Sequence, residues 1–174
     1  MAISRRRLET MRQIVSGVEP PMTRVALDDI ANPAAARHQL QAEFEKALRG
    51  KESTDQLITR LRHVVEMSRG RAARIAQTEK TRAFNSARLK PLLEEYLTAY
   101  DKAVKGHRKR PDRPLVQWIN PRYAREPRPR HVAISGTKRP VGDEFLPGLK
   151  YPGDPDAPAR EVINCHCYIR RVTR

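Results

Sequence analysis

Residues 71–106 read RAARIAQTEKTRAFNSARLKPLLEEYLTAYDKAVKG, and the fold turns on how this stretch is read. In its first half Ala72, Ile75, Ala76, Ala83 and Ala87 recur at helical spacing, and these small residues let another helix approach closely. In its second half Leu92, Leu93, Tyr96, Leu97 and Tyr100 form the largest apolar face in the chain, ended at Gly106. Between them stands Pro91, whose missing N–H predicts a kink or the start of a new helix.

Working outward, Leu40, Phe44, Ala47 and Leu48 fall at i, i+4, i+7 and i+8 behind Asn32-Pro33, a favourable helix start, and Gly50 closes the run. Ser53 or Thr54 can cap a second helix with an apolar stripe of Leu57, Ile58, Leu61, Val64 and Val65, which Gly70 should end. Residues 1–32 read as a basic N-terminal arm, with Arg5, Arg6 and Arg7 ahead of a break from Gly17 to Pro21. Downstream the pattern changes. Leu115–Ile119, His131–Ile134 and Cys167–Val172 are short strand candidates, and the stretch from Pro147 to Pro158 is a loop rich in proline and glycine. The expected class is α+β: a helical part at 33–106 with long helices, then a small antiparallel sheet with proline-rich loops at 107–174.

The chain has 174 residues, 35 Lys and Arg against 20 acids, and a net charge of +15, which favours an anionic neighbour, most simply nucleic acid. Residues 105–174 concentrate the imbalance, with 16 basic residues against seven acidic ones. Aromatics make up only 5%, so the core should be modest. No apolar run reaches the ~18 residues of a membrane span, and no signal-like segment follows Met1. Two cysteines cannot build a disulfide framework, which points to synthesis in a reducing cytosol.

The most specific chemical feature is Cys165-His166-Cys167. On an extended segment the two cysteines share a face and His166 takes the other. Two thiolates on one face can share a soft metal such as zinc if further ligands arrive, and His131 on a neighbouring strand is the best candidate. The residues alone favour the plainer reading of two small buried thiols without a cofactor, with a structural zinc on His131, Cys165 and Cys167 as the alternative. His131 could also act as a general base beside Arg128 or Arg130, although no complete catalytic constellation accompanies it. Asp143, Glu144, Asp154 and Asp156 could hold a cation, but such acids more often cap turns or pair with arginine. For phosphate contact the densest charge lies at Arg108, Lys109 and Arg110, then at Arg122, Arg125 and Arg130. No glycine-rich phosphate loop is present.

The order of motifs across 65–172 resembles the bacteriophage Mu F-like minor head protein (phage head morphogenesis) family. A helix with Thr78, Glu79, Asn85 and Arg88 is followed by Trp118, then Arg128, His131 and Gly136, then Phe145, a Pro-Gly-Asp-Pro turn, and Asn164-Cys165-His166-Cys167. Two positions depart from the pattern: Gln77 and Lys80 flank Thr78-Glu79 where the family reads RTET, and His166 replaces the arginine of NCRC. The carried-over residues Thr78, Glu79, Asn85, Arg88, Trp118, Arg128, His131, Gly136, Asn164, Cys165 and Cys167 form a family core rather than a catalytic site. The resemblance implies a minor structural head protein of a tailed phage or prophage, made in the host cytoplasm and carried in the virion. It implies contact with the portal and other head proteins, non-specific contact with DNA, and a part in packaging or ejection by binding. The alternative is a small basic nuclease or toxin-like effector centred on His131 and Arg128.

Overall fold

The computed structural model describes residues 8–9, 11–12, 33–65, 68–121 and 126–172. Arg5, Arg6 and Arg7 of the N-terminal arm, together with Arg122 and Arg125, lie outside the described residues, whereas Arg12 of the same arm pairs with Asp101 at 3.1 Å. Helix α1 (Pro33–Arg49) opens on proline, whose fixed φ suits a first turn. Helix α2 (Thr54–Val65) opens on a reciprocal cap: the Gln56 N–H donates to Ser53 Oγ at 3.3 Å, and the Ser53 N–H donates to Gln56 Oε1 at 2.7 Å. Gly70 does not end this helix. It lies in the first turn of α3 (Arg69–Lys105), which Ser68 caps by accepting from the Arg71 N–H at 3.3 Å.

Helix α3 runs unbroken for 37 residues, about 55 Å at 1.5 Å per residue. No new helix starts at Pro91: the ring lies on the exposed side, where water can take the carbonyl that loses its partner. One helix thereby serves two cores. Its small first-half residues Ala72, Ile75 and Ala76 pack against Leu40 and Phe44 of α1 and Leu57, Ile58 and Leu61 of α2. Its large second-half residues Leu89, Leu92, Leu93, Tyr96, Leu97 and Tyr100 pack against Val116, Trp118, Phe145, Leu149 and Ile169. The change of side-chain size along residues 71–106 is thus a change of partner, from close-packed helices to a sheet with loops. No helix among the described residues is long and apolar enough to cross a membrane.

The sheet has three antiparallel strands in the order β2 (Lys138–Pro140), β1 (Leu115–Ile119), β3 (Tyr168–Arg171). Val116 faces Arg139 and Arg171, and Trp118 faces Ile169, so the buried side of β1 presents Val116 and Trp118 to α3. The strand expected at His131–Ile134 is a correction: Pro129 opens a short helix, α4 (Pro129–Ala133), despite the branched residues there. The third strand is instead β2, whose proline and two basic residues are compatible with a sheet edge only. A turn of helix, α5 (Ala159–Val162), follows the proline-rich loop. That loop rests on α3 through Gly153, at φ +81°; a Cβ there would lie 2.7 Å from the Cα of Arg82. Of the four acids that could hold a cation, Asp143 and Asp154 follow the plainer expectation of an arginine pair and a turn cap. Asp143 pairs with Arg113 at 2.7 Å, and Asp154 accepts from the Lys150 and Asp156 N–H groups at 3.0 and 3.1 Å.

Candidate metal centre

One stripe of α3 is polar where a core-facing stripe would be apolar. Thr78, Thr81, Asn85 and Arg88 follow each other at steps of three, four and three, the spacing of a single helix face. Each bonds to backbone of the segment 164–169. Thr78 Oγ1 accepts from the Asn164 N–H at 2.9 Å. The Thr81 hydroxyl donates to the Cys165 carbonyl, which also accepts from Gln77 Nε2 at 3.2 Å. Asn85 accepts from the Ile169 N–H at 2.9 Å and donates to the Cys167 carbonyl at 3.3 Å. Arg88 donates to the Ile169 carbonyl at 3.1 Å. The side-chain amide of Asn85 therefore stands where a fourth strand would, and α3 closes the free edge of β3.

This docking fixes where the cysteines point. Asn164 turns the chain at φ +53°, a conformation asparagine tolerates better than most residues. From there burial alternates as expected of an extended segment: Cys165, Cys167 and Ile169 are buried, while His166 and Tyr168 are half-exposed. His131 comes from α4 rather than from a strand, yet it meets them. Its Nδ1 lies 3.6 Å from Cys165 Sγ and 3.6 Å from Cys167 Sγ, and the three potential ligand atoms all fall within 4.8 Å of one another. The three residues are 1–3% exposed.

The surroundings are polar in an ordered way. Glu161 Oε2 lies 3.0 Å from His131 Nε2, and its other oxygen is bonded to Arg130 at 2.7 Å. A carboxylate only accepts, so Nε2 carries the proton and Nδ1 is the atom turned to the sulfurs. Asn120 Nδ2 donates to Cys167 Sγ at 3.3 Å. The buried indole Nε1 of Trp118 meets no acceptor by ordinary geometry. The Trp118 ring stands edge-on to His131 at 5.1 Å and packs on Phe145 at 5.3 Å. The hydrogen bond from Cys167, with His131 adding to it, pulls the Cys165 thiol down to about 5. That same bond, with burial, pushes the Cys167 thiol up.

The other residues singled out in the sequence fall around this centre. Arg128 donates to the carbonyls of Arg160 and Ile163, fastening α4 to the segment that precedes the cysteines. Gly136, at φ +89°, donates its N–H to the Trp118 carbonyl at 2.8 Å. Glu79 is buried beside Arg82 at 2.7 Å. Arg108, Lys109 and Arg110 are exposed and apart from the centre; Arg110 lies 5.5 Å over the ring of Tyr100. Arg130, expected to contact phosphate, is tied to Glu161. Sequence reasoning missed Glu161, Asn120, Gln77 and Thr81. Thr81 alone left a signal, as a polar residue in step with Thr78, Asn85 and Arg88. Comparisons with protein-family models, curated proteins and solved structures each find no match for this chain.

Proposed function

We propose that the chain is a minor structural head protein of a tailed phage or prophage, associated with portal and procapsid assembly and with DNA packaging or ejection, and acting by binding. One observation carries this reading: motif residues scattered from 78 to 167 converge on one short segment, and their polar groups are engaged in holding it. Side chains bonded to backbone in this way keep a shape; they are not free to move a proton or a phosphate. The triad belongs to the same reading as a structural zinc clip between α4 and the segment 164–169. The nuclease alternative has less support, because His131 is 1% exposed and Arg128 is bound to two carbonyls. The proposed partners are the portal and other head proteins, with packaged DNA as the non-specific anion.

The test is mass spectrometry of particles purified after induction of the source prophage. A few copies per particle are expected; absence from particles and from procapsids would refute the reading. Incubation with plasmid DNA and RNA beside His131→Ala addresses the alternative. Cleavage that depends on His131 would replace a binding role with an enzymatic one.

A further inference from the structure

The centre can be taken further than a clip of unstated geometry. We infer that the triad binds one zinc ion through His131 Nδ1, Cys165 Sγ and Cys167 Sγ, with Glu161 as the positioning residue that sets the imidazole and Asn120 as an N–H donor to Cys167 Sγ. This rests on the zinc reading above and assigns its atoms and its supporting residues.

Three independent features point the same way. The first is distance. Tetrahedral zinc with Zn–N of about 2.05 Å and Zn–S of about 2.3 Å puts nitrogen and sulfur about 3.6 Å apart. Both N···S separations are 3.6 Å. A single S–H···N hydrogen bond accounts for one such separation, but one imidazole nitrogen has one lone pair and cannot accept from two S–H donors, whereas an ion between the three atoms satisfies all of them. The second is the fixed tautomer. Glu161 on Nε2 leaves Nδ1 as the basic nitrogen, and a carboxylate behind a ligating histidine raises its basicity and fixes its plane. Arg130 in turn holds Glu161 at 2.7 Å. The third is the donor at Cys167. Asn120 Nδ2 donates to its sulfur at 3.3 Å, and a hydrogen bond of this kind is stronger to a charged sulfur. A buried neutral thiol would not require this donor, while a thiolate on zinc still accepts hydrogen bonds and makes use of it.

Zinc is favoured over harder cations because two of the three ligands are sulfur. Among the described residues three ligands converge, and the fourth position of a tetrahedral ion is left to a further donor such as water.

The experiment uses the full chain, purified without chelators and then titrated with zinc against a chromophoric competitor. One zinc per chain is expected, and Co(II) in its place should give the visible bands of a tetrahedral site with thiolate ligation. Glu161→Gln should lower zinc affinity by about 10- to 100-fold while keeping the ion and the cobalt spectrum. Asn120→Ala should weaken binding less. Equal affinity in Glu161→Gln and the parent would overturn the positioning role with the zinc site intact. No zinc uptake by the parent would overturn the site itself, and with it the clip. If Glu161→Gln does not fold, nitrogen-15 spectra of the parent's histidines decide: a protonated Nε2 and a metal-bound Nδ1 on His131 are expected, and the reverse pattern refutes the assignment.

Discussion

Replacing Asn85 by alanine should be among the most damaging single changes in the chain. The side chain is fully buried, and it supplies the acceptor for the Ile169 N–H at 2.9 Å and a donor to the Cys167 carbonyl at 3.3 Å. Its further bond to the Thr81 carbonyl, at 2.8 Å, supplements a helical bond that survives the change, so it adds little. Alanine therefore strands one buried donor and weakens the satisfaction of one buried acceptor. At about 1–3 kcal/mol for each group left unsatisfied, the expected loss is about 3 kcal/mol. That is a large part of the ~5–15 kcal/mol that holds a domain together. With a urea slope of about 2 kcal/mol per molar, the unfolding midpoint should fall by roughly 1.5 M, read by fluorescence of Trp118, which lies in the same core. Lys90→Ala, on the exposed side of the same helix, is the control and should stay within about 0.5 kcal/mol. Asn85→Asp should be worse at neutral pH than in acid, because a carboxylate there faces the Cys167 carbonyl while the protonated form can still donate. A midpoint for Asn85→Ala within ~0.3 M of the parent, at an unchanged slope, would refute the account of α3 as the partner of the β3 edge.

Three further outcomes are expected. Gly153→Ala should cost about 1–3 kcal/mol in chemical denaturation, because φ is +81° and the new methyl would meet the Arg82 backbone at 2.7 Å. A loss below ~0.5 kcal/mol would mean that the proline-rich loop can lift away without penalty. Arg128→Lys should destabilise by about 1–2 kcal/mol, since a lysine cannot bond the Arg160 and Ile163 carbonyls together with a planar fork; a melting curve identical to the parent's would show that fastening to be idle. If DNA binds at Arg108, Lys109 and Arg110, reversing their charges should flatten the slope of log affinity against log salt by ~0.9 for each phosphate no longer neutralised. An unchanged slope would place the DNA-binding surface elsewhere on the chain.

The helices are legible in the sequence because periodicity and caps are local: Ser53 with Gln56, the stripe at Leu57 to Leu61, and Gly106 at the end of α3 all follow from spacing. That the helix continues through Pro91 depends on which side of it faces water, a tertiary fact. His131–Ile134 carries strand-favouring residues, but Pro129 before them sets the backbone, and the true edge strand at Lys138–Pro140 is too short and too polar to announce itself. At the centre, the shared face of Cys165 and Cys167 can be read from alternation, and His131 can be named as their partner. The support cannot. Glu161 and Asn120 lie at ordinary-looking positions on a short helical turn and at a strand end, and only folding brings them to His131 and Cys167.

The division of α3 between two cores bears on how the chain reaches its native state. The contacts of α1 and α2 with the start of α3 are close in sequence, so that bundle can assemble as soon as its helices form. The grip of α3 on 164–169 joins residues 81–88 positions apart, and β1 must find β3 across the whole proline-rich region between them. Closing a loop of ~80 residues costs entropy before any bond repays it, and pairings of this kind slow folding. Refolding should accordingly show two phases: fast recovery of helical signal, then a slower one in which Trp118 is buried and the two thiols lose their reactivity together.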